Sequence, residues 1–131
     1  MTRITAFLSV TSKTLAPHEI SDLLEIDADR EVVKGSQRTP PRSRPKNNGW
    51  NIGCRFQEYV DLDFAIGELA KRLGEKVENL SRLRHHEYLN EISVKIAIAP
   101  EHGEVPLFFS RETIAFLSKI GASLDIEYFP E

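Results

Sequence analysis

Residues 91–99 alternate without interruption: Ile92, Val94, Ile96 and Ile98 take one parity, while Glu91, Ser93, Lys95 and Ala97 take the other. A period of two places every β-branched side chain on one face of an extended chain. The stretch therefore demands a half-buried strand with helices packed against its apolar face, and it serves as the organising and central strand of the expected fold, from about Tyr88 to Ala99 and ended by Pro100.

The other elements are placed around it. From Arg3 to Val10, Ile4, Ala6, Leu8 and Val10 share one parity; Phe7 breaks the pattern, which fits a first strand covered on both faces. Pro17 suits the first turn of a helix with Ile20, Leu23 and Leu24 as its stripe, running to Leu24. Residues 31–34 make a short second strand. Trp50, Ile52, Cys54 and Phe56 alternate through a third, paired with the second, and Asn48-Gly49 supplies turn residues before it. Between Leu62 and Leu83 apolar residues recur in steps of three and four, predicting one long amphipathic helix, in which Gly67 and Gly74 imply a close approach to the sheet. Residues 102–106 read as a turn. Ser110 is placed to cap a helix carrying Ile114, Leu117 and Ile120 beside Phe116, with Gly121 to end it, and Leu124, Ile126 and Tyr128 form a closing strand.

The order β-α-β-β-α-β-α-β predicts an α+β fold: a mainly antiparallel sheet with helices on one face, its ferredoxin-like (split βαβ) core extended by a C-terminal helix and strand. A chain of 131 residues has the length of a single domain, taken as residues 1–131. Its 40% hydrophobic and 28% charged content belongs to a globular chain, and the net charge of -3 gives no general attraction to nucleic acid or membranes. Charge is segregated, however. Residues 30–46 carry a net +5 and the remainder -8. A lone cysteine, an N-terminus without an apolar leader and the lack of a membrane-length apolar run point to the cytoplasm.

Residues 35–49 contain no Val, Ile, Leu or Phe, three prolines and four basic residues without an acid, which predicts an exposed loop. Arg38, Arg42, Arg44 and Lys46 on that loop are suited to phosphate or carboxylate, and Trp50 at its end can stack on a base unless it is buried in the core. These five form the candidate binding set. His85 and His86 are adjacent and diverge, while His18 and His102 lie in other elements, so no metal site is expected. Cys54 shares its parity with Trp50 and Ile52 and reads as a core thiol. Asp125 and Glu127 share one face of the last strand, where acids discourage edge pairing. No catalytic residue and no cofactor are assigned.

Residues 15–24 (LAPHEISDLL), Val33-Lys34-Gly35, the lone Trp50 and above all residues 109–128 (FSRETIAFLSKIGASLDIEY) resemble the bacterial domain of unknown function 4279 family over nearly the whole chain. The resemblance implies a small bacterial cytoplasmic α+β domain without an established reaction, and it suggests immunity to a toxin as a role to expect. The expected function is a non-enzymatic, protein-binding module, immunity-like or accessory, that docks on another protein through its acidic faces or its basic loop. The alternative is nucleic-acid or phosphate-ligand binding through residues 38–46. No membrane partner is expected.

Overall fold

Burying the alternating apolar residues of three long strands on one face leaves the opposite face of the sheet open, and this one-sidedness organises the molecule. The computed structural model describes residues 3–36, 43–100 and 105–129. Five strands, β1 (Arg3–Ser12), β2 (Arg30–Val32), β3 (Asn48–Phe56), β4 (Leu89–Ala99) and β5 (Ser123–Tyr128), form a single sheet in the order β2-β3-β1-β4-β5. The pairs β2·β3, β3·β1 and β1·β4 are antiparallel, whereas β4·β5 is parallel. Strands β1 and β2 thus run the same way with β3 between them, and β3 and β4 run the same way with β1 between them. The fold is α+β and mainly antiparallel, as the element order predicts.

The central strand is β1, not β4. It pairs along its whole length with β3 on one side and β4 on the other. Its residues Ile4, Ala6, Leu8 and Val10 are buried beside Trp50 and Ile52 of β3 and Ile92, Val94, Ile96 and Ile98 of β4. Four α-helices cover this face: α1 (Pro17–Leu24), α2 (Leu62–Leu73), α3 (Val77–Leu83) and α4 (Arg111–Ile120). They contribute Ile20, Leu24, Leu62, Ile66, Leu69, Leu80, Leu117 and Ile120 to one core. The opposite face of β1 carries Thr5 and Phe7, both only partly buried, so the expectation that Phe7 marks a strand covered on both sides is corrected.

The helix expected over residues 62–83 is two helices. A 3-10 turn at Gly74–Lys76 separates α2 from α3, and Gly74 has φ 53°, a left-handed backbone that a side chain disfavours. No neighbour lies within 4 Å of a Cβ placed on Gly67 or Gly74, so neither marks a close approach to the sheet. The Asn48-Gly49 pair lies inside β3, opposite Ser12 and Thr11, and is not a turn. The Asn48 side chain accepts from the Lys34 amide at 2.8 Å and the Pro45 carbonyl accepts from the Gly35 amide at 2.9 Å, which closes the stem of the β2–β3 connection.

Helix α4 begins at the expected cap. The Ser110 hydroxyl accepts from the Thr113 amide, and Gly121 ends the helix with φ 67°. Its buried stripe is Thr113, Leu117 and Ile120; Ile114 is 58% exposed and is corrected from the predicted stripe. The reason lies in α2. The Asp63 carboxylate accepts from the Ser110 amide at 2.8 Å and from the Thr113 hydroxyl at 2.6 Å, which turns Thr113 inward and its neighbour Ile114, about 100° further round, outward. These two hydrogen bonds hold the Asp63 carboxyl below the usual carboxylate range.

Truncating Ile96, buried on β4, is expected to destabilise the fold by about 2–5 kcal/mol, whereas Lys95→Ala, one residue away on the open face, costs less than about 0.5 kcal/mol. Denaturant titration of the two variants measures the difference; comparable losses would contradict the assignment of faces.

Candidate functional site: the open face of the sheet

The residues that alternate out of the core are aligned into rows by the strand register. One row reads Arg30, Asn51, Ser9, Ser93, Ser123 across all five strands. The next reads Gly53, Phe7, Lys95, Asp125, and the third Arg55, Thr5, Ala97, Glu127. Small hydroxyl and amide residues make the floor, and Phe7 is the aromatic at its centre. A Cβ on Gly53 would stand 3.2 Å from Cδ1 of Phe7, so the ring leans over β3 where its partner has no side chain.

Two hollows open on this face. One of about 860 Å3 is lined by Phe7, Ser9, Asn51 and the cations Arg30, Lys46, Arg55 and Lys95. A second of about 400 Å3 adjoins it through Thr5, Phe7 and Arg55, and continues to Arg3, Ala99 and Phe129. Phe129 is 52% exposed, and its amide donates to the Ile98 carbonyl at 2.8 Å, which holds the chain beside β4. Together the hollows form a trough along β1, from Thr11 to Arg3. At a rise of about 3.3 Å per residue its length is roughly 27 Å.

The trough is basic. Among the described residues its five cations make no ion pair, and Asp29 is the single carboxylate on its lining. Asp29 is already neutralised. Its two oxygens accept from Nη1 and Nη2 of Arg72 at 2.6 and 2.5 Å, the same Nη1 reaches the Gly53 carbonyl at 2.7 Å, and Oδ2 accepts from the Gly53 amide at 2.9 Å. The pair thereby satisfies the edge of β3 beyond the end of the three-residue β2. The Arg72 hydrogen bond, more than the opposing effect of burial, holds the Asp29 carboxyl below its ordinary value. Acidic residues lie to the other side: Asp125 and Glu127 sit on β5, next to Lys95 and Ala97, and bound the basic region.

The five residues singled out in the sequence separate in the fold. Trp50 is 0% exposed on the helix side, its Nε1 donating to the Ser21 hydroxyl at 3.0 Å, so it is a core residue and not a stacking platform. Arg44 is exposed and donates to the Gly35 carbonyl at 3.4 Å, and of the set's described members Lys46 alone lines the trough. Arg38 and Arg42 lie outside the described residues, as do residues 102–104 of the expected turn. Arg3, Phe7, Arg30, Arg55, Lys95 and Phe129 fall outside the set that the sequence suggests because they come from five separate segments. The available signal was their parity, opposite to that of the core residues on the same strands, with Phe7 the visible exception.

Cys54 is half-buried on the helix side, and burial pushes its thiol up, away from the thiolate a nucleophile requires. His86 Nδ1 accepts from the Tyr88 amide and His85 Nε2 from Arg84, both at the exposed end of α3. Among the described residues no group of three or more His, Cys, Asp or Glu is placed to hold a metal ion, and no helix is long and apolar enough to cross a membrane.

Comparison with protein families matches residues 2–130 to the Domain of unknown function (DUF4279) family, and the chain belongs to it. No curated protein and no solved structure matches the chain.

Because the folded Asp29 carboxyl titrates below its unfolded value, the pair with Arg72 adds stability above the unfolded value, and this is lost as the pH falls through the folded one. The pair is partly exposed, so Asp29→Asn should cost no more than about 0.5–1 kcal/mol at neutral pH. The gap between the thermal melts of the two proteins should narrow as the pH falls from the unfolded carboxyl's value through the folded one, and close once the wild-type carboxylate has protonated. A gap that does not change with pH would show that the charge of the Asp29 carboxylate contributes nothing to the stability of the pair.

Proposed function

We propose that the protein is a non-enzymatic binding module that receives an extended anionic ligand on the open face of its sheet. The observation that carries the reading is the trough itself: among the described residues Arg3, Arg30, Lys46, Arg55 and Lys95 surround it without an acidic partner, and the one carboxylate on its lining is held by Arg72. Positive side chains gathered in a shallow groove concentrate anions locally even on a protein of net charge -3, because charges beyond about 10 Å are screened at 0.1 M salt. The acids of β5 steer such a ligand away from that edge. Binding is favoured over catalysis because the one thiol is held in its protonated form on the other side of the sheet, away from both hollows. Its unpaired state suits a reducing compartment, consistent with a cytoplasmic location.

A protein partner presenting an acidic segment is the second reading and accommodates an immunity-like role. The same cations, unpaired among the described residues, favour it, since carboxylates and phosphates both suit arginine.

Inorganic polyphosphate measures the electrostatic property directly. Its affinity should fall steeply with added salt, and the combined Arg30→Ser, Lys46→Ser, Arg55→Ser variant should lose at least about tenfold while melting within a few degrees of the wild type. Asp125→Asn with Glu127→Gln should tighten it. Salt-insensitive binding, or equal binding by the triple variant, would refute the assignment of the open face.

A further inference from the structure

We infer that the extended anion is a single-stranded nucleic acid, with Phe7 and Phe129 as platforms for unpaired bases and the surrounding cations directed at its phosphates. The inference rests on the anionic-ligand reading above and adds the chemistry of the ligand. Three observations carry it, and each removes a class of alternative.

The first is length. The trough extends along β1 for roughly 27 Å, with Lys46 and Arg30 toward one end and Arg3 toward the other, so a single nucleotide or a free phosphate cannot meet all its cations. The ligand that matches this distribution is a polymer with repeated negative charge.

The second is the aromatic pair. Phe7 rises at the centre of a floor of hydroxyl and amide residues, and the side chain that would stand beside it on β3 is missing at Gly53. Phe129 follows β5 with the parity of Asp125 and Glu127, which puts it on the same face, and it lines the second hollow with Arg3 and Arg55. From the sheet spacing the two platforms are roughly 16 Å apart. Aromatic faces interleaved with cations along a groove suit bases on a flexible sugar-phosphate chain. An acidic peptide would satisfy the cations but leave the rings without planar partners.

The third is accessibility. The rings stand on a broad sheet face, and among the described residues no helix or ribbon projects from it to enter a duplex groove. A double helix keeps its bases stacked inside, and only an unpaired strand can offer their faces to Phe7 and Phe129.

The test uses fluorescence anisotropy with a labelled single strand of about a dozen thymidines, and the same sequence as a duplex, polyphosphate and polyglutamate as competitors. The single strand is expected to bind more tightly than the other three at equal salt. Phe7→Leu, which keeps an apolar side chain over Gly53, should weaken it by about 5- to 100-fold and leave polyphosphate binding unchanged, with Phe7→Tyr restoring the affinity. Phe129→Leu, at the periphery of the sheet, should act in the same direction and provides an independent reading should Phe7→Leu fold poorly. If polyphosphate competes as well as the strand and neither leucine variant matters, the face takes polyanions without stacking, and the nucleic-acid inference falls while the anionic-ligand reading stands. Preference for polyglutamate would replace nucleic acid by an acidic protein segment. Absence of binding to every polyanion would overturn both.

Discussion

One-sided burial of β1 is the constraint on which the rest of the structure depends. This strand lies in the middle of the sheet, hydrogen-bonded to β3 and β4, and its Ile4, Ala6, Leu8 and Val10 must all face the helices. Because side chains alternate with a period of two, the same constraint turns Thr5, Phe7, Ser9 and Thr11 outward. A slip of one residue against either neighbour would exchange the sets and expose four apolar side chains, so core stability also enforces the register of the open face. The floor of the trough is the necessary counterpart of the core. Phe7 is the informative residue there, an aromatic retained where the pleat delivers it to solvent.

The edges of the sheet are managed by different means. On one side β2 ends after three residues, and the remaining edge of β3 is met by Asp29 and Arg72, whose side chains supply the acceptor and donor that another strand would provide. On the other side β5 joins in parallel after the crossover through α4 and carries Asp125 and Glu127 on the open face. Acids on an edge strand oppose pairing with a second sheet. Here they also divide the face electrostatically, leaving the cations of the trough concentrated over β1 and its neighbours.

Much of this fold is legible in the chain. Proline at the first position of α1, the Ser110 cap and terminal Gly121 of α4, and the alternation in β1, β3, β4 and β5 are local signals, and each element forms where its signal lies. The departures have local geometric or tertiary causes. Steps of three and four continue from Leu62 to Leu83, yet Gly74 adopts φ 53° and the axis breaks, because apolar periodicity records which side is buried and not whether the helix is continuous. Ile114 looks like core in a helical stripe, but hydrogen bonds from Ser110 and Thr113 to Asp63, 47 and 50 residues away, set the rotation of α4. Asn48-Gly49 has the composition of a turn and is instead held in β3 by pairing with β1.

The candidate site divides along the same line. By itself the sequence determined most of the elements, the parity of the buried residues in the long strands, the basic character of residues 30–46 and the family to which the chain belongs, since these follow from local periodicity, charge and residue pattern. It also drew attention to Trp50, which the fold buries, and to Lys46, which the fold keeps at the trough. Only the tertiary structure decided that β1 stands at the centre, and that Arg3, Phe7, Arg30, Arg55, Lys95 and Phe129 share one surface. Strand order and register bring these residues together, and both are set by the packing of the opposite face against four helices, a long-range property that no single stretch of chain contains.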